Sequence, residues 1–368
     1  MPAFARVEQI LRDAVPEVAP AIQIEIRWRG DTVFARAMGD LDPETRQRPV
    51  HADTRFDLAS VTKLFVTTAF MRQVETGSVT LATPVSAILP AFSGVRPIGP
   101  YEDPLQTGRF ITIAEGGLVD AGATTFRQLL THTSGLPAWR PLFRQSEAEA
   151  ARALAFATHF AYPPGTRVIY SDIGLILLGL ALERLTGLTL AAAVRRSVTD
   201  PLGLSHTGYR PALDVTCAPT EICAWRGRRV VGEVHDENAA RLGGVSGHAG
   251  LFSTAADVAG FGQSFLDGSL LHRATIAEMA REQAVDGTLR RGLGFQLWSP
   301  DPEASGFPFG PMAFGHTGFT GTSLWIDPDQ ALVVALLTNR VYHGRAPGGI
   351  ARLRVALHQA IVSACQEM

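Results

Sequence analysis

The chain has 368 residues, 46% of them hydrophobic and 18% charged, with a formal net charge of -2. That length is enough for one large or two closely joined domains with a sizeable core, and 19 Phe with 36 Gly suit a packed protein with many turns, not a disordered one. The near-neutral charge and the lack of any Lys/Arg block argue against nucleic acid or an anionic membrane as partner.

The N-terminal segment MPAFARVEQILRDAVPEVAP has charges interrupting every apolar run, so it lacks the apolar core of a signal peptide. No stretch approaches the ~20 apolar residues that cross a bilayer. A cytoplasmic protein without a membrane span is therefore expected. Next, Ile22, Ile24, Ile26 and Trp28 alternate with Gln23, Glu25, Arg27 and Arg29, the period of a half-buried strand. Gly30-Asp31 reads as a turn, and Val33, Ala35 and Ala37 as the return strand of a hairpin. Ser60–Thr76 has helical spacing of Val61, Leu64, Phe65, Ala69 and Val74, with Gly77 placed to end it. Helices are also expected over Thr125–His132 and Ile173–Thr186, separated by Pro- and Gly-rich loops such as Pro90–Pro104 and Tyr162–Gly165. The apolar run Ile173–Leu182 reads as a buried helix. Ser323–Asp327 and Ala331–Thr338 form strands about a Pro328-Asp329 turn, and Pro347-Gly348-Gly349 precedes a helix from Ile350 to Cys365.

The simplest assembly is a mixed α+β fold: an antiparallel β-sheet built from both termini and flanked by helices, with a mainly helical domain inserted. Residues 1–85 and 240–368 would form the sheet-containing domain and 86–239 the helical one. Cys217, Cys223 and Cys365 are too few and odd in number for a disulfide framework, and packed thiols are expected.

Ser60-Val61-Thr62-Lys63 carries the strongest chemical signal. Residues i and i+3 share a helix face, so Lys63 lies against the Ser60 hydroxyl, which needs a neighbouring base to become nucleophilic. Free N–H groups at the helix start favour developing negative charge. The plain alternative is a helix cap beside a solvated lysine. Tyr170-Ser171-Asp172 stands at the entrance of an apolar helix, where a tyrosine can carry protons if nearby cations lower its pKa; otherwise Ser171 or Asp172 caps the helix and Tyr170 packs. His316-Thr317-Gly318 precedes the C-terminal strands and would line a cleft wall, with Gly318 admitting substrate to the backbone. The N–H groups of Ser60 and Phe319 would form an oxyanion hole. His132 is expected to be structural, at a helix end where its charge suits the dipole.

In this order the three motifs resemble the serine β-lactamase and penicillin-binding-protein superfamily, whose pattern is S-x-x-K, Y-x-N, and K-T-G or H-x-G. Phe56-Asp57-Leu58-Ala59, Leu129–Leu136 and Gly321-Thr322-Ser323 extend the resemblance over about residues 20 to 340. It implies an active-site cleft between the two domains and an acyl-enzyme on Ser60, with Lys63 and Tyr170 sharing the proton traffic; nothing in the sequence calls for a cofactor or metal. Two departures stand out: Asp172 replaces the usual Asn, and His316 replaces Lys and would be only partly charged near neutral pH. Residues 218–253 are similar to the branch holding muropeptide-recycling amidases and low-molecular-weight penicillin-binding proteins. There, His235, Asp236, Glu237 and Asn238 are candidate cleft-lining residues, or else a loop with its own turn hydrogen bonds. A metal site from His235, Asp236 and His248 is not expected. The resulting expectation is a serine hydrolase of amides or esters, acting on a peptidoglycan-derived fragment. Small esters or β-lactams, or a non-catalytic binder of wall fragments, are the alternatives. The oligomeric state is not legible.

Overall fold

In the computed structural model of the chain, which describes residues 2–106, 108–346 and 348–368, the alternating segment forms β1 (Ala21–Trp28) and β2 (Asp31–Gly39). Pro347 of the expected breaker lies outside the described residues. Both faces of β1 are buried, not one. Ile22, Ile24 and Ile26 pack on one side, while Gln23 on the other donates to the carbonyls of His51 and Thr54 at 2.6 and 3.0 Å and accepts from the Ala255 N–H at 2.9 Å. Hydrogen bonding is what lets this polar face be covered.

What covers it is a helix. With α1 (Ala5–Ala14), α2 (Thr62–Glu75), α3 (Asp172–Thr186), α4 (Ala255–Asp267) and α5 (Ile350–Gln366), the layers are clear. The sheet continues through β3 (Ala284–Asp286), β4 (Leu289–Arg291), β5 (Gln296–Leu297), β6 (Phe314–Thr317), β7 (Ser323–Asp327) and β8 (Leu332–Thr338). Its order is β3-β4-β5-β6-β7-β8-β1-β2, and every pairing is antiparallel. The two ends of the chain therefore meet in mid-sheet, where Ile22 pairs with Thr338. Helix α4 packs on β1, β7 and β8 from one face, and α1 with α5 covers the other. Helix α3 is buried through Leu182, ends at left-handed Gly187 and packs against α2 in the larger core. Among the described residues, no single helix is long and apolar enough to cross a membrane. Cys217, Cys223 and Cys365 are buried free thiols.

Helix α5 buries His358 completely: Nδ1 lies 2.6 Å from the Ser305 carbonyl and Nε2 has no partner. Burial pushes its pKa down to about 4. Above the unfolded value of about 6.5 both states are neutral. Below it, only the unfolded chain takes the proton, so stability falls as pH drops toward 4, by up to about 3 kcal/mol from this residue. Thermal melts between pH 7.5 and 4.5 should show a smaller acid loss in His358→Gln than in the parent. Equal slopes would assign the acid sensitivity elsewhere.

Candidate active site

A small sheet sets the nucleophile. Phe56–Asp57 pairs with Leu251–Ser253, which also pairs with Gly208–Tyr209. The chain then makes a 3-10 turn over Ala59–Val61 before α2 begins at Thr62, so Ser60 sits in the turn and does not cap the helix. Ala59 holds φ at 45°, an unusual conformation for a residue with a Cβ. The buried carboxylate of Asp57 supports it, accepting from the Ala59 N–H at 2.8 Å and from the His235 N–H at 2.6 Å. Burial nonetheless raises the Asp57 pKa.

Lys63 is 1% exposed and aims at Ser60. Its ammonium donates to Ser60 Oγ at 2.8 Å and to the His248 carbonyl at 2.9 Å, and it pairs with Asp172 Oδ1 at 2.8 Å. Burial opposes the charge, but the Asp172 carboxylate and Tyr170 outweigh it and the Lys63 pKa is raised. The resting lysine is charged. Asp172 arrives at the first position of α3, whose cap is Ser171: its hydroxyl accepts from the Gly174 N–H at 3.3 Å.

Tyr170, one residue earlier, has its ring centre 4.8 Å from Lys63 Nζ, between the rings of His132 at 4.7 Å and His316 at 5.6 Å. Its hydroxyl oxygen is buried without a hydrogen-bond partner. Here burial wins over the nearby lysine, and the pKa is raised. The condition that nearby cations lower its pKa is therefore not met: this is a neutral phenol.

An open cleft of about 280 Å³ exposes the arrangement, lined by Ser60, Tyr170, Asp172, His235, Asp236, Glu237, His248, Phe319, Trp139 and Arg345 among others. Its carboxylates are strongly held. The half-buried Asp236 is pushed below the usual carboxylate range although burial opposes this: His248 Nε2 lies 2.8 Å from its Oδ1, and the Ala239 N–H donates to it at 2.7 Å. The donor atoms of Asp172, Asp236 and His248 come within 4.8 Å of one another, but Asp172 Oδ1 already pairs with the Lys63 ammonium at 2.8 Å. His248 Nε2 carries a hydrogen toward Asp236 and is not a free ligand.

With this geometry in place, comparison with known proteins is decisive. The β-lactamase family profile matches residues 8–358. The chain belongs to the β-lactamase family. It is 34% identical over 338 residues to the N-acetylmuramyl-L-alanine amidase of Bacillus subtilis strain 168, covering 81% of this chain and 71% of that protein. Among solved structures it is similar to EstCE1, a hydrolase with promiscuous acyltransferase activity, with TM-score 0.74, 22% identity and coverage of 97% and 98%. It also resembles an octameric penicillin-binding protein homologue from Pyrococcus abyssi, with TM-score 0.70, 22% identity and coverage of 95% and 76%. The chain is a serine hydrolase with the α+β fold of this family.

Several expectations change in this β-lactamase-family site. His316 is buried on β6 and does not line the cleft. Its Nδ1 lies 2.7 Å from the Thr317 carbonyl and so carries the hydrogen. Burial, then Arg291 and Lys63, push its pKa well below the ordinary value. It is neutral, not a partly charged clamp for a carboxylate. Thr317 and Gly318 also stand outside the cleft lining. At Gly318 a Cβ would run into Thr322 Oγ1 and the Leu58 carbonyl, so the glycine serves protein packing and not substrate approach. Phe319 does line the cleft, its ring 5.7 Å from that of His235.

Asn238 is buried and is a bracket, not a lining residue: it accepts from the Phe143 N–H at 2.9 Å and donates to the Arg140 carbonyl at 2.8 Å. His235 is buried too, with Nε2 2.9 Å from Glu221 Oε1. Arg345 ties Glu221 to Glu237 from across the cleft. His132 accepts the Ser171 N–H on Nδ1 at 3.1 Å and is held neutral by burial, which corrects its expected role as a helix-end cation. Asp57, the His248 carbonyl and Arg291 were not singled out from sequence. Asp57 stands in a stretch that carried the resemblance, but its hold on the His235 N–H, like the parts played by the His248 carbonyl and Arg291, depends on contacts between remote segments.

Proposed function

We propose that Ser60 attacks the carbonyl of a peptidoglycan-derived amide, most directly the bond joining a muramyl lactyl group to L-alanine, and forms an acyl-enzyme. The observation that carries this is the buried lysine 2.8 Å from Ser60 Oγ, held by a carboxylate also at 2.8 Å. Lys63 rests charged, so it must lose a proton before it takes one. Asp172 is the acceptor in reach. As Oγ bonds to the substrate carbon, its proton passes to Lys63 while a Lys63 proton passes to Asp172. The N–H groups of Ser60 and Phe319 hold the oxyanion. Tyr170, a neutral phenol, then gives its proton to the leaving nitrogen as the carbon–nitrogen bond breaks, and recovers one from Asp172 by way of Lys63. Water completes the cycle through the same groups.

The substrate class is supported by the Bacillus subtilis relative's name; the cleft itself is acidic. Asp172, Asp236 and Glu237 face it, and Arg345 is already paired with two glutamates. Imported wall fragments would reach such an enzyme in the cytoplasm, and the cleft between a sheet domain and a mainly helical insertion is the arrangement we favour. Small esters are a second reading, because Pro104, Leu105, Ala138, Trp139 and Ala249 give the cleft an apolar wall.

Incubation with N-acetylmuramyl-L-alanine should release L-alanine, and a fluorophosphonate should add to the Ser60 peptide. Labelling with ester turnover but no alanine release would favour the esterase. Folded protein that takes no adduct at Ser60 would leave a non-catalytic binder as the better account.

A further inference from the structure

Arg291 ends β4 and is 8% exposed, and its Nε and Nη1 are both buried without a hydrogen-bond partner. Among the described residues it makes no salt bridge. An unpaired buried cation is costly, and a well-packed apolar side chain of similar size would commonly be more stable there. The guanidinium carbon lies 5.4 Å from the centre of the Tyr170 ring. The groups facing Tyr170 are Ser60 and Lys63 from α2 and its leading turn, Asp172 from α3, His132 and His316, and Arg291. Both histidines are neutral and Lys63 is engaged with Asp172, so Arg291 is the cation left uncommitted. Burial weakens its charge, and Tyr170 is the group that opposes this. Among the described residues, no other carboxylate or phenol is placed to complement it.

We propose that Arg291 is a positioning residue for Tyr170, supplying the positive charge that stabilises the phenolate formed when Tyr170 protonates the leaving group. This rests on the Ser60 chemistry above. The Tyr170 O–H bond breaks, the leaving nitrogen or oxygen takes the proton as its bond to the carbonyl carbon breaks, and the phenolate regains a proton from Asp172 through Lys63. The β-strand residue thus provides, from behind the ring, the charge that His316 does not.

The consequence is a dependence on leaving group that a structural arginine would not have. p-Nitrophenoxide departs without a proton, whereas ethoxide and an amine do not. In Arg291→Met, the acylation step with p-nitrophenyl acetate, read as the initial burst of p-nitrophenoxide, should stay within about threefold of the parent, while ethyl acetate and N-acetylmuramyl-L-alanine should each lose roughly 10- to 100-fold. In a Tyr170→Phe background the same substitution should add nothing, and the melting temperature should hold or rise. Arg291→Lys, which keeps the charge if the methionine variant folds poorly, should preserve the parent's ranking of the three substrates. An equal loss on all three substrates, or a further loss in the Tyr170→Phe background, would overturn the assignment while leaving Ser60 untouched. A parent protein that takes no fluorophosphonate at Ser60 would sink the mechanism and this assignment together.

Discussion

Ser60→Ala is expected to abolish fluorophosphonate labelling and to lower hydrolysis of any accepted ester or amide by at least about 10⁴-fold. The hydroxyl is the one group that forms the covalent bond, so no neighbour compensates. Lys63, Asp172 and the His248 carbonyl remain in contact after the substitution, because none of those contacts needs Oγ. The fold should therefore survive, and the melting temperature should shift little. Intact mass after reaction with the phosphonate checks the claim, with the parent gaining one adduct and the variant none. An adduct of equal yield on the variant would place the nucleophile elsewhere.

Asp172→Asn carries the second largest effect. It restores the residue usual in the family but takes the carboxylate away from a lysine that stays buried. Breaking one partner of a buried pair costs up to roughly 3–5 kcal/mol, less here because Asp172 is partly exposed. The Lys63 pKa is raised in the parent, so the pair stabilises the fold below the unfolded lysine value of about 10.5 and the benefit is lost only as pH climbs through the folded value. The variant should thus be less stable across the whole neutral range. Phosphonate labelling at pH 7 should slow roughly 10²- to 10⁴-fold, because Lys63 has no internal acceptor for its proton. The residual rate should climb between pH 6 and 9 as solvent removes that proton, whereas the parent should be flatter. Identical profiles in the two proteins would show that Asp172 takes no part in proton transfer.

The parts of this site legible in the sequence are those set by local geometry. Ser60 and Lys63 are one turn apart, and their contact follows from that spacing. The β1–β2 hairpin and the C-terminal strands follow from alternation and turn residues. What sequence could not show is ionisation, because it depends on packing from remote segments. His316 reads as a partly charged residue until burial and Arg291, from a neighbouring part of the sheet, make it neutral. Tyr170 reads as activated until its desolvation is seen to exceed the pull of Lys63. Asn238 reads as a cleft residue because it follows three that are, yet at the buried face of a short helix its amide turns to the 140–143 segment. Alternation in β1 implies one wet face, but α4 covers it from more than 200 residues away.

The meeting of both chain ends in mid-sheet also governs how the protein emerges from the ribosome. Strand β1 is made early, and its partner β8 follows about 310 residues later. At ~5–20 residues per second that interval lasts roughly 15–60 s. Throughout it, the β1 edge carrying Ile22, Ile24 and Ile26 is a strand without its neighbour, the kind of surface that captures other chains. Slower initiation or a chaperone that shields this hairpin should therefore raise the yield of native enzyme more than any substitution in the finished fold.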